Sequence, residues 1–190
     1  MIIAIASYNK SCRKLFFEML KKRSDQNNLN NLTELEKAID EESYINWINA
    51  EHKLVEVVNG HVRDRGRADI WVGNKAKPSY RLIIENKIDA GNQDHQLRKY
   101  YRYLTGNDRE NAGLFYLCLK NTSERENGAE VSAEGFKSES RDVGPTKKIL
   151  ITYQEDILPW LYKIKELIDI ESDFRVAIQQ YIDLIIKLIK

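Results

Sequence analysis

Asp69, Glu85 and Lys87 are the residues of this chain whose types and spacing could carry out a reaction. Glu85 and Lys87 stand in Arg81-Leu82-Ile83-Ile84-Glu85-Asn86-Lys87-Ile88, where an acid and a lysine interrupt a run apolar enough for a buried strand. Side chains alternate along a strand, so Glu85 and Lys87 project to one side and Asn86 to the other. Upstream, Arg67-Ala68-Asp69-Ile70-Trp71-Val72-Gly73 reads as a second strand, with Asn74 to Ser79 as the turn between the two. Paired as an antiparallel hairpin, these strands let Asp69 face Glu85 and Lys87. Two carboxylates and an ammonium so placed suit a hard divalent cation such as Mg²⁺, which is usually held by one or two carboxylates plus a substrate phosphate. Such a cation polarises a phosphoryl oxygen and lowers the pKa of a bound water. Lys87 could orient that water or offset the charge that builds in the transition state. A structural ion pair is the competing reading, but two acids and one lysine leave a negative charge that a buried pair tolerates poorly.

The elements around these residues must hold them in place. Lys53 to Val62 alternates Leu54, Val55, Val57, Val58 and Val62, with Gly60 near its end, and reads as the first strand. Arg63-Asp64-Arg65-Gly66-Arg67 reads as the following turn. Its arginines either bind phosphate through their planar forks or supply the ordinary charge of a hairpin tip. After Lys87 the chain turns through Asp89 to Asn92 and enters a helix at about Gln93. Gln96 and Tyr100 share a face one turn apart, beside an apolar stripe of Leu97, Tyr101 and Leu104. From the helix start Gln96 points back toward the strand ends, either to position a water or phosphate there or as a plain surface glutamine. Arg98, Lys99 and Arg102 either meet a nucleic-acid backbone or form an exposed basic face.

Gly113 to Leu119 is a continuous apolar run, the pattern of a strand buried on both faces, and Lys148 to Tyr153 is another strand. Residues 120–146 between them lack periodicity and read as a long loop. Near the N-terminus Leu15, Phe16, Met19 and Leu20 have helical spacing; Thr33 and Glu36 form a capping-box pattern that opens a helix through Ile39, Tyr44, Ile45 and Ile48. Two helices close the chain. One carries Ile157, Trp160, Leu161, Ile164, Leu167 and Ile168; the other opens at Ser172 and carries a wide stripe from Phe174 to Leu188 that packs on the sheet or makes a homodimer contact. This order predicts an α/β fold with a central mixed sheet flanked by helices. One domain over 1–190 is expected, with a helical N-terminal region over 1–52, a sheet core over 53–153 and C-terminal helices over 154–190.

Composition narrows the function classes. With 42% apolar and 31% charged residues the chain has the make-up of a soluble globular protein. The net charge of +1 gives no bulk field toward a polyanion, so any phosphate-binding surface must come from local clustering. Cys12 and Cys118 lie far apart, which argues against a disulfide framework or zinc knuckle and fits a reducing cytoplasm. Met1 to Ala6 lacks a preceding basic region and is too short for a secretory core, and no window reaches the length of a membrane span. His52, His61 and His95 show no ligand spacing; only His95 adjoins the proposed site.

Ala68-Asp69, fifteen intervening residues and Glu85-Asn86-Lys87 resemble the bipartite motif of the PD-(D/E)XK nuclease superfamily, with Ala68 in place of its proline. The run Ile84 to Gln93, leading into Gln96-Leu97-Arg98-Lys99-Tyr100, is similar to the IENKI…QLxxY pattern of one bacterial and phage branch. Thr152 to Leu161 also looks like that branch, and the resemblance covers roughly Val55 to Leu161. It implies a restriction-endonuclease-like core, αβββαβ, with two extra C-terminal helices. It implies a Mg²⁺- or Mn²⁺-dependent nuclease that hydrolyses phosphodiester bonds, with DNA as the expected substrate, in a phage, mobile-element or defence setting. Asp69 and Glu85 would then bind the metal with the Asn86 carbonyl as a further ligand, Lys87 would assist the attacking water, and Gln96 would support it. Arg65, Arg67, Arg98 and Arg102 would meet the nucleic acid. A helix glutamate near the metal is also implied, and Glu18, Glu36, Glu41 and Glu51 are all eligible. The alternative is a catalytically inactive module of the same fold that binds nucleic acid or a protein partner.

Overall fold

The apolar runs Leu82–Ile84, Gly113–Leu119 and Ile149–Ile151 lie side by side in a five-stranded sheet. The computed structural model describes residues 1–26, 48–58, 60–73, 80–88, 96–105, 111–119 and 148–190. Two helices, α1 (Ile2–Ala6) and α2 (Lys10–Gln26), precede the strands β1 (Ile48–Val58), β2 (His61–Gly73) and β3 (Tyr80–Lys87). Then follow α3 (Gln96–Thr105), β4 (Asn111–Cys118), β5 (Lys148–Thr152), a π-helical turn (Tyr153–Ile157), α4 (Leu158–Leu167) and α5 (Asp173–Ile189). The strands are ordered as in sequence. β2 runs antiparallel to both β1 and β3, whereas β3, β4 and β5 run parallel, so the sheet is mixed as expected.

Alternation along the interior strands divides the core. Ile84, Phe115, Leu117 and Ile151 face α2, α4 and α5, where Phe16, Leu20, Trp160, Leu161 and Ile182 are buried. Ile83, Leu114 and Tyr116 face the other way, onto Tyr100, Tyr103 and Leu104 of α3. A parallel pair cannot be joined by a tight turn. The helix between β3 and β4 therefore doubles as the cover of this second face.

The first hairpin differs from the expected one. Its turn lies at Gly60, with φ of 77°, and Arg63 to Arg67 belong to β2 instead of forming the turn. The pairing steps from Leu54↔Gly66 to Val55↔Asp64, which leaves Arg65 as the extra residue of a bulge. Gly66, with φ of 104°, lets the strand absorb that residue and continue. Ile48, expected at the end of a helix, pairs with Val72 and opens β1; the rest of that helix, with Thr33 and Glu36, lies outside the described residues, as do the turns at 74–79 and 89–95 and the loop at 120–146.

Ser172 caps its helix as the sequence indicates, and Thr152 supplies a second cap not named from the sequence. Ser172 Oγ accepts the Phe174 N–H at 3.2 Å at the start of α5. Thr152 Oγ1 accepts the Glu155 N–H at 2.9 Å, while the Thr152 N–H donates to Asp156 Oδ2 at 2.8 Å, a reciprocal arrangement that closes β5 and opens the π-helical turn. The stripe of α5 packs inward through Ile178, Ile182 and Ile185. Truncating Ile182, which is fully buried, to alanine should therefore cost about 2–5 kcal/mol in urea denaturation. Val176→Ala, at a half-exposed position of the same helix, should stay within about 0.5 kcal/mol of the parent.

Candidate active site

The carboxyl end of β3 is where the polar residues enter the sheet. Ile83 points to α3 and Ile84 to the opposite core, so Glu85 and Lys87 go with Ile83 and Asn86 with Ile84. Glu85 is 2% and Lys87 4% exposed. Lys87 Nζ lies 3.0 Å from Glu85 Oε1 and donates to Gln96 Oε1 at 2.8 Å. The Gln96 Nε2 donates in turn to the Tyr100 hydroxyl at 2.8 Å, and that hydroxyl donates to the Arg67 carbonyl at 2.5 Å. The first turn of α3 is thus tied both to the lysine and to β2.

Asp69 joins the group from β2. The β2–β3 ladder ends at Ile70↔Ile84, one residue short of it. Beyond the last pair the Asp69 side chain takes over the ladder's role, its Oδ2 accepting the Asn86 N–H at 2.7 Å. That bond directs the Asp69 carboxylate at the end of β3.

The electrostatics are those of excess negative charge. Burial, and then the neighbouring Asp69, push the Glu85 carboxyl up to about 7, against the partial opposition of Lys87. Burial also raises Asp69, opposed by the Asn86 N–H and by Lys87. Glu85 Oε2 is buried and receives no hydrogen bond: the neighbouring Tyr100 hydroxyl, which also favours the charged carboxylate, gives its one proton to the Arg67 carbonyl. A buried carboxylate oxygen without a donor is costly, and one ammonium cannot balance two acids. A hard cation bound by Glu85 Oε2 and Asp69 would relieve both deficits, and the all-oxygen donor set is the kind Mg²⁺ and Mn²⁺ take. Among the described residues no group of three or more His, Cys, Asp or Glu side chains could hold a metal. Asp69 and Glu85 would supply two such ligands, and a hard cation there would take the rest of its donors from waters or a phosphate.

The family model of the PD-(D/E)XK nuclease superfamily matches residues 6–183. The chain belongs to the PD-(D/E)XK nuclease superfamily. No curated protein and no solved structure matches it. The superfamily match reaches beyond Val55–Leu161 at both ends and takes in α2 and most of α5. The mixed α/β sheet is consistent with the nuclease fold. Superfamily membership makes this a nuclease-type hydrolase, of a group that generally uses divalent metals. No described helix is long and apolar enough to cross a membrane.

Of the residues singled out from the sequence, Asp69, Glu85, Lys87 and Gln96 come together. The side chain of Asn86 does not: it turns to the other face, where its Oδ1 accepts the Tyr153 hydroxyl at 3.0 Å. Arg67 is exposed, with Nη1 3.4 Å from Glu51 Oε2. Arg65 sits at the bulge, and the side chains of Arg98 and Arg102 lie outside the described residues, as do Glu36, Glu41 and His95. Glu18 is exposed on α2, across the sheet from the site. Glu51 is the described candidate glutamate near Asp69, and it lies on β1 instead of a helix. It interrupts the ladder between Ala50↔Ile70 and His52↔Ala68 with φ of 51°, a left-handed conformation rare for a non-glycine residue. His52 stacks on Trp71, ring centroids 4.4 Å apart, and His61 is exposed.

Two tyrosines given no role from the sequence join the site. Tyr100 shares the Gln96 face, as its spacing indicates; it is 1% exposed and bridges α3 to β2. Tyr153 lies in the segment Thr152 to Leu161 that carries the resemblance, but no local pattern gives it a role, because its partner Asn86 lies two strands away.

The raised carboxyls make a pH dependence. Glu85 titrates near its ordinary 4.5 in the unfolded chain and at about 7 in the fold. Between those values the fold holds the extra proton, so stability is full below about 4.5 and falls as pH rises through about 7. The raised Asp69 carboxyl acts in the same sense. Urea denaturation of the metal-free protein should lose on the order of 1–3 kcal/mol from pH 5 to pH 8. Millimolar Mn²⁺ should restore most of that loss, and Glu85→Gln should flatten the profile.

Proposed function

We propose that the chain is a Mg²⁺- or Mn²⁺-dependent nuclease that hydrolyses phosphodiester bonds in DNA. The observation that carries this reading is the partnerless Glu85 Oε2 beside Asp69, with the Lys87 ammonium within reach of the same carboxylate. Asp69 and Glu85 would hold the cation, the Asn86 carbonyl would be a further ligand, and Glu51 is the nearest additional carboxylate among the described residues. When bound, the cation would supply a polarised phosphoryl oxygen and an acidified water.

The remaining work falls to the chain. Lys87 would orient the attacking water and offset charge on the phosphoryl oxygens as it develops. Gln96, which accepts from the lysine at 2.8 Å, would keep the ammonium from collapsing wholly onto Glu85. Arg65, Arg67, Arg98 and Arg102 would contact the phosphate backbone, and in that setting the Arg67–Glu51 pair would yield to phosphate. An inactive binding module would have no use for a buried surplus of negative charge. Cys12 and Cys118 are buried and neither is in a disulfide among the described residues, which suits a reducing compartment, and we place the protein in the cytoplasm.

Incubation with linear, circular and single-stranded DNA should give Mn²⁺-dependent cleavage that EDTA abolishes. Lys87→Ala should keep the fold and Mn²⁺ binding while losing about 10²–10³-fold in cleavage rate. Unaltered cleavage by that variant would remove the lysine from the reaction, and Mn²⁺ binding unaffected by Asp69→Asn would remove the metal site.

A further inference from the structure

Asp69 lies past the end of the β2–β3 ladder, and its carboxylate is held by the Asn86 N–H. What holds Asn86 therefore sets Asp69. Ladder bonding to β4 continues along β3 through Asn86↔Leu117, while the Asn86 side chain hangs on the opposite face from Glu85 and accepts the Tyr153 hydroxyl at 3.0 Å. The Tyr153 hydroxyl is approached in turn by the Tyr181 hydroxyl of α5 at 3.4 Å. Each hydroxyl has one proton to give, so the chain has a direction: Tyr181 donates to Tyr153, Tyr153 to the Asn86 side chain, and the Asn86 backbone to Asp69.

Tyr153 is unusually well fixed for this task. It is 1% exposed and opens the π-helical turn after β5, a rare backbone form that tends to occur where function requires it. The carbonyl of Leu119, just past the end of β4, accepts the Gln154 N–H at 3.1 Å. Asp156, bonded to the Thr152 N–H, is clamped from α2 by Arg23, which also reaches Glu155 at 2.7 Å. Burial raises the titration of both tyrosines, so both keep the donor proton.

We propose that Tyr153 is a positioning residue for the metal-binding carboxylate, acting on Asp69 through Asn86 from the opposite face of the sheet. Tyr153 touches neither substrate nor cation; it orders the strand end to which Asp69 is tied. The inference rests on the nuclease reading for what Asp69 holds. Partners one shell out from a ligand commonly change metal affinity by about 10–100-fold when removed.

Calorimetric titration of the intact protein with Mn²⁺ tests this without any turnover. Tyr153→Phe keeps the ring and deletes the hydroxyl; the Mn²⁺ dissociation constant should rise about tenfold. Asn86→Ala deletes the acceptor and leaves both tyrosines in place; it should give the same rise, and it reports on the proposal even if Tyr153→Phe does not fold. The double variant should be no weaker than either single one within about twofold, since both remove one interaction. Tyr181→Phe, which leaves the Tyr153–Asn86 bond intact, should change affinity less. Losses that multiply in the double variant, or an unchanged Mn²⁺ affinity in folded Tyr153→Phe or Asn86→Ala, would overturn the proposal. A parent protein that neither binds Mn²⁺ nor cleaves DNA would instead refute the nuclease reading itself.

Discussion

A buried imbalance of charge at the end of β3 governs the rest of the molecule. Glu85 and Lys87 are almost fully enclosed and 3.0 Å apart, and Asp69 adds a second carboxylate beside them. Were the pair balanced, it would be a costly but ordinary ion pair. With one acid in excess, the fold can keep neutrality only by holding a proton on a carboxyl, which the rise of Glu85 to about 7 expresses, or by taking up a cation. On the proposed reading, the same deficit that weakens the metal-free fold at high pH would be the source of affinity for a divalent ion, because stabilising the site fully without metal would leave less to gain from binding one.

Both faces of the sheet serve that strand end. On one, α3 brings Gln96 to the lysine and Tyr100 to the Arg67 carbonyl, joining lysine, helix and β2 in one network. On the other, the π-helical turn presents Tyr153 to Asn86. Period-two alternation is what allows this division: consecutive residues 85, 86 and 87 face a site, a brace and the site again. The crossover between parallel strands places α3 on the site's face, and the C-terminal helices close the other.

Much of this was legible in the sequence, because the informative signals are local. An apolar run broken by Glu85 and Lys87 declares a buried strand with a polar end, and the Gln96–Tyr100 spacing declares a helix face. The expected α/β class, the succession of strands and helices along the chain and the capping role of Ser172 follow from the same kind of signal. The readings that failed depend on distant partners. Ile48 has helical spacing with its predecessors, yet its pairing with Val72 draws it into β1. Arg63 to Arg67 have the composition of a turn, but a bulge at Arg65 and the freedom of Gly66 keep them in β2. Glu51 approaches Asp69 through β-pairing and a left-handed backbone, and no helical or strand pattern announces either. Tyr153 looks like one more core aromatic until Asn86 is brought to its hydroxyl across the sheet.

The central claim is that one divalent cation lies between Asp69 and Glu85. Diffraction from crystals grown with Mn²⁺, collected for its anomalous signal, tests it most directly. The account requires an anomalous peak about 2 Å from a carboxylate oxygen of each residue, with Glu85 Oε2 among the ligands and the Asn86 N–H still on Asp69. A peak bound elsewhere, or Mn²⁺-saturated crystals in which Glu85 keeps only its contact with Lys87, would contradict it.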